Sequence, residues 1–336
     1  MTARHLVVGA GPVGTAVASL LAGRDIPVRL VSRRGLGPDH PLVERVPADA
    51  ADTDRLRTLA AGSAVIYNCL NPPYHRWPQD WPPMAEALLA AAESADAVLA
   101  TVSNLYVYGP VDGPMTPDLP MAAPGPKAKV RAQMWRDALA AHESGRVRVT
   151  EVRGSDYLTT GRNSHLGDLV AGRIVRGRSA RFVVPTRSPH TFTYVPDVAA
   201  TIVAAAATET GWGRVWHVPS PPALTPRQAV VDLCDVAGVG PVRVEEVPWW
   251  LLRAAGLAIP LLRELAETRY QFSAPYLLDS SATVEELGVT ATPWCQALTA
   301  VIQGYRTGNP SADRRWKPHH SAARESGAVA RRVEHS

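Results

Sequence analysis

The chain has 336 residues, 46% of them hydrophobic and 20% charged, with a formal charge of +4. That length can bury one large domain or a domain with a lobe, in proportions usual for a globular protein. Three widely spaced cysteines (Cys69, Cys234, Cys295) give neither a disulfide framework nor a metal pattern, and no apolar run is long enough to cross a bilayer.

The first 150 residues alternate strand and helix patterns. Strands are predicted at Leu6–Val8, Val28–Ser32, Val43–Val46, Ala64–Cys69, Ala97–Ser103 and Val147–Val152. Helices are predicted near Val13–Ala22, Asp52–Ala61, Met84–Ala95 and Val130–His142. This alternation predicts an α/β fold of Rossmann type, a doubly wound parallel sheet with helices on both faces. Beyond residue 154 the regularity weakens, with helices expected at Ser164–Val175, Val195–Ala207, Thr225–Ala237, Trp249–Leu257 and Leu261–Phe272. The expected division is a nucleotide domain over 1–154 and a segment over 155–308. The latter interleaves the last sheet elements with a smaller C-terminal substrate lobe. A disordered tail is expected over 309–336, where Arg314, Arg315, Lys317, Arg324, Arg331 and Arg332 sit among few apolar residues. Neither nucleic acid nor membrane is an expected partner, and the cysteine usage suggests a reducing cytoplasm.

Gly9-Ala-Gly11-Pro12-Val13-Gly14 follows the first strand and opens the first helix. In this order the glycines allow a tight turn, a close backbone approach to a pyrophosphate and close helix–strand packing. A dinucleotide site is therefore expected here. The second strand ends Ser32-Arg33-Arg34, without the acid that would accept from the ribose hydroxyls of NAD. Two arginines and a serine suit the additional phosphate of NADP, so NADP(H) is the expected cofactor.

The segment Ser103-Asn104-Leu-Tyr106-Val-Tyr108-Gly109 leads through a proline-rich loop to a helix that begins with Lys127 and Lys129. Only three of the 35 basic residues are lysine, which singles out two of them in one turn. With the glycine turn and Thr191–Val198, this segment resembles the extended short-chain dehydrogenase/reductases, near the NAD(P)-dependent epimerase/dehydratase group, over most of 4–306. The resemblance implies a Ser or Thr followed by Tyr-x-x-x-Lys, in which the lysine holds the nicotinamide ribose and the tyrosine passes a proton. Lys129 fits that lysine best by register, with Lys127 a near rival. Four residues before Lys129, however, stands Gly125, and four before Lys127 stands Ala123. Asn104 takes the place of the hydroxyl residue, with Ser103 beside it. Substitutes for the tyrosine are Tyr106 and Tyr108, which strand alternation would turn the same way as Asn104, and Tyr157 after the sixth strand.

The resemblance also places the end of the fourth strand, with Asn68 and Leu70, beside the cofactor. The loop after it, carrying Tyr74, His75, Trp77 and Trp81 among prolines, would border the substrate. Flat side chains there suit a large flat ligand. Asn104 and Tyr106 would complete the substrate side. A fold kept without its tyrosine is similar to the simocyclinone-type angucyclinone ketoreductases of aromatic polyketide tailoring. The expectation is thus an NADPH-dependent ketoreductase of a polycyclic aromatic ketone in antibiotic biosynthesis, as monomer or homodimer. The alternatives are a non-catalytic NADP-binding sensor or scaffold, and a sugar-nucleotide epimerase or dehydratase.

Overall fold

The computed structural model describes residues 3–161, 164–255, 267 and 269–308. The expected tail over 309–336 and most of the helix expected at Leu261–Phe272 lie outside these residues.

Seven parallel strands form the central sheet: β1 (Arg4–Val8), β2 (Val28–Ser32), β3 (Val43–Pro47), β4 (Ser63–Asn68), β5 (Val98–Asn104), β7 (Arg148–Gly154) and β11 (Arg214–His217). Their order across the sheet is β11-β7-β5-β4-β1-β2-β3. Both faces are covered, so the strands are apolar on both sides. Along β1, Val7 enters one core with Val17 and Leu21 of helix α1 (Pro12–Ala22) and with Val198 and Ile202 of α6 (Val195–Ala207). Its neighbours Leu6 and Val8 enter the opposite core with Leu56 and Leu59 of α2 (Thr53–Ala60), Leu88 of α3 (Trp77–Ala95) and Trp135 of α4 (Pro126–Glu143).

The chain leaves β1 toward β2 and β3, then crosses back to lay β4 on the other side of β1. Strand order therefore reverses between β1 and β4, which opens a crevice at their carboxyl ends. A further cluster of Leu166, Val170, Phe182, Phe192, Leu233 and Leu298 gathers the elements after β7, among them the strand β8 (Asp156–Leu158) and helix α7 (Pro226–Ala237). Strand β11 returns from these elements to the sheet beside β7. Asp197 ties the two parts together, accepting from the Thr292 N–H at 2.9 Å and its hydroxyl at 2.6 Å. Among the described residues no helix is long and apolar enough to cross a membrane.

Candidate active site

The glycine turn lies at the strand-order reversal. Gly9 has φ +107° and passes so close to β4 that a Cβ on it would stand 2.6 Å from the Cys69 carbonyl oxygen. A Cβ on Gly14 would stand 1.8 Å from the Gly9 carbonyl oxygen, so α1 presses directly on the turn. Gly11 differs: a Cβ there meets nothing within 4 Å. Gly11 is the N-cap of α1 and offers no side-chain cap, with Pro12 in the first turn. The helix thus presents backbone N–H groups, with Val13 and Gly14 buried behind, to open space next to Gly11. This cradle fits the pyrophosphate of a dinucleotide. On the rim, Asn68 Oδ1 accepts from the Leu70 N–H at 3.2 Å and shapes the end of β4. The Ser32 hydroxyl accepts from the Leu36 N–H at 3.0 Å and is spent on its own turn, while Arg33 and Arg34 are exposed.

Helix α4 decides which lysine faces inward. It begins at Pro126 with Gly125 as N-cap, so the family's tyrosine position lies before the helix for either lysine. Residues two apart on a helix point about 200° apart, and residues four apart share a face. Accordingly Lys127 and Arg131 are buried, and Lys129 is exposed on the outer face. The expectation for Lys129 is corrected: Lys127 is the lysine that faces the interior. Its Nζ lies 2.6 Å from Glu267 Oε2, while Glu267 Oε1 accepts the Lys127 backbone N–H at 3.0 Å and caps the helix. A Cβ at Gly125 would fall 2.2 Å from that same Oε1, so the Glu267 carboxylate occupies the space a side chain at 125 would need.

The aromatic residues are arranged differently from expectation. Trp77 begins α3 and Trp81 follows one turn later, both fully buried. Pro78 is tolerated in the first helical turn, where its missing N–H has no intrahelical partner to lose. The two indoles support Arg131, whose guanidinium lies 4.7 Å from the Trp77 ring and 4.3 Å from that of Trp81. They are therefore not lining a substrate loop, and His75 is exposed beside them. Tyr74 remains near the cleft, its hydroxyl 3.2 Å from that of Tyr106. Burial raises both tyrosines above the ordinary phenol range.

The segment after β5 turns into a short 3-10 helix, Leu105–Val107, capped by Asn104 Oδ1 accepting from the Tyr106 N–H at 3.1 Å. That turn ends strand alternation, so Tyr106 and Tyr108 part. Tyr106 lines a cleft of about 200 Å3 with Gly109, Pro124, Gly125, Glu267 and Tyr270. Tyr108 goes into the interior, its hydroxyl 2.8 Å from both His217 Nε2 and an Arg153 guanidinium nitrogen. Arg153 in turn meets Glu151 at 2.6 Å. Tyr108 is thereby removed from the candidate proton donors. Tyr157 donates to the Ser103 carbonyl at 2.7 Å, and burial raises it too. Ser103 Oγ and Arg131 Nε are buried and have no hydrogen-bond partner among the described residues.

Arg131 and Glu267 were not foreseen. Arg131 had a legible signal, standing four residues after Lys127; Glu267, 140 positions away, had none.

No protein-family model matches the sequence, and no curated protein matches it significantly. Solved structures do. UDP-glucose 4-epimerase from Thermotoga maritima superposes with a TM-score of 0.74 at 16% identity, covering 91% of this chain and 99% of that one. The dTDP-glucose 4,6-dehydratase of Bacillus anthracis, solved with NAD, gives 0.73 at 16% identity, covering 91% and 97%. DesIV, a dTDP-glucose 4,6-dehydratase from Streptomyces venezuelae solved with NAD and TYD, gives 0.71 at 20%, covering 90% and 97%. The likeness is one of fold. It extends over nearly the whole length, as the resemblance to the epimerase/dehydratase group implies for residues 4–306.

Proposed function

We propose that this chain is a nicotinamide-dinucleotide-dependent oxidoreductase acting on a sugar nucleotide. The observation that carries the redox reading is the Gly9–Gly14 cradle: open space beside Gly11, a helix N-terminus behind it, and the point where strand order reverses. The cofactor would take or supply a hydride when bound. Around it, Gly11 and the first turn of α1 would hold the pyrophosphate, and Arg33 and Arg34 would meet a ribose phosphate if the cofactor is NADP. The buried cation of Arg131 would favour negative charge developing on a substrate oxygen.

The sugar-nucleotide class is supported by the epimerases and dehydratases that share the fold. The polycyclic-ketone reading rested on the missing tyrosine and on Tyr74, His75, Trp77 and Trp81 as a flat surface, and of these Trp77 and Trp81 are buried against Arg131. It loses that part of its support.

The test is a titration of the full chain with NADH and NADPH, followed by energy transfer from tryptophan, then incubation with NAD+ and dTDP-glucose or UDP-glucose. Saturable binding and a keto or epimerised product, identified by mass spectrometry and chromatography, are expected. Failure to bind either dinucleotide would refute the redox reading. Binding without turnover of either sugar nucleotide would refute the substrate class.

A further inference from the structure

We propose that Lys127 is the catalytic residue that exchanges a proton with the substrate oxygen, and that Glu267 is the positioning residue that holds it there. The proposal rests on the oxidoreductase reading above and deepens it.

A hydroxyl–carbonyl interconversion needs a group that gives or takes a proton at the substrate oxygen. The tyrosines in and around the cleft are poorly suited to it. Tyr108 is locked between His217 and Arg153, and Tyr157 spends its proton on the Ser103 carbonyl. Tyr74 and Tyr106 face each other, and burial makes these two and Tyr270, which also lines the cleft, weaker acids than an ordinary phenol. Arg131 is cationic at all working pH and cannot release a proton.

Lys127 is joined to the cleft through Glu267. Its side chain is only 3% exposed. Its Nζ stands 5.9 Å from the centre of the Tyr74 ring and is bound to Glu267, which lines the cleft next to Gly125 and Tyr106. The Glu267 carboxylate grips the lysine at two points, backbone and ammonium, and takes the space at residue 125. Acid and fixed cation thus follow each other as Lys127-x-x-x-Arg131 on one face of α4, where the related pattern has Tyr-x-x-x-Lys. In the reductive direction, as the carbonyl carbon gains the hydride that a bound reduced dinucleotide would supply, the C=O π pair moves onto oxygen and takes the proton of Nζ, whose N–H electron pair stays on nitrogen. Water entering the cleft then reprotonates the neutral amine. In the oxidative direction the steps run in reverse: the ammonium first yields a proton to water, and the neutral amine then accepts the hydroxyl proton as the carbon gives up the hydride that a bound oxidised dinucleotide would take.

With three lysines in the chain, the proposal can be read directly by NMR of lysine-selectively labelled full-length protein, assigned with K129R and K317R. Addition of NADH is expected to shift the Lys127 Nζ resonance and leave Lys129 in place. A shift confined to Lys129 would overturn the proposal. K127R, which keeps the charge and the pairing with Glu267 but cannot give up a proton, is expected to retain dinucleotide binding. It should lose ~10²-fold or more in kcat with little change in KM, as removal of a general acid does. E267Q is expected to move the Lys127 resonance and reduce kcat less than K127R does, while K129M leaves turnover unchanged. Wild-type turnover in K127R would overturn the proposal. If neither sugar nucleotide is turned over by the wild type, the substrate class fails, and a Lys127 resonance unmoved by saturating NADH would still overturn the proposal.

Discussion

Gly11→Ala and Gly14→Ala insert the same methyl group three residues apart and should have opposite consequences. At Gly14 the new Cβ would lie 1.8 Å from the Gly9 carbonyl oxygen, where ordinary contact needs about 3.4 Å or more. The helix would have to move away from the strand, or the turn would have to open. Because Gly9 is itself pressed on the Cys69 carbonyl, the turn cannot retreat. Overpacking of this kind costs ~3 kcal/mol, enough to lower Tm by several degrees. At Gly11 the backbone has φ −74°, open to any residue, and the methyl meets nothing within 4 Å. The folding cost is then only that of Ala for Gly at an N-cap, under ~1 kcal/mol. The methyl would instead project into the space assigned to the pyrophosphate, where a tenfold loss of affinity corresponds to ~1.4 kcal/mol. Thermal melts and NADH titrations of both variants, followed by tryptophan fluorescence, separate the two effects. A Gly11→Ala protein that binds dinucleotide like wild type would refute the assignment of the cradle. A Gly14→Ala protein of unchanged Tm would refute the packing argument.

Three further outcomes follow from the same geometry. Burial pushes the His217 imidazole down to about 4, from an ordinary 6.5. Between these values the unfolded chain binds the extra proton. Stability should therefore be full above pH 6.5 and fall by ~3 kcal/mol as pH drops toward 4, a dependence that H217Q should flatten in denaturant melts. Tyr108→Phe leaves the buried His217 and Arg153 nitrogens without their shared oxygen and should cost ~2 kcal/mol in urea unfolding; a neutral result would mean that the network reforms without it. The double variant R33A/R34A should weaken NADPH binding about tenfold or more and leave NADH unchanged, and equal losses for both would show that these arginines do not read the ribose phosphate.

The parallel sheet was legible in the sequence because its signals are local. Alternating apolar strands, the glycines at 9, 11 and 14, and the acidic cap Asp52, which accepts from the Arg55 N–H at 3.0 Å, each act within a few residues. Parallel strands joined by helices then leave little freedom in topology. Helix α3 was half legible: its prolines read as a loop, and although Pro78 in the first turn breaks no helical bond, Pro82 and Pro83 inside the helix each remove one, so the helix is held there by the packing of Trp77 and Trp81 on Arg131. The choice between Lys127 and Lys129 depended on where α4 starts, since a start at Pro126 places one lysine inward and turns the other about 200° away. Tyr106 and Tyr108 were separated by a single 3-10 turn that strand alternation does not anticipate. Glu267 required the complete fold, because a carboxylate 140 residues from its lysine leaves no periodic trace in the chain. The sequence alone determined the architecture and the glycine turn. Tertiary contact between distant segments decided which side chains reach the cleft, because side-chain direction is set by helix start and packing rather than by spacing.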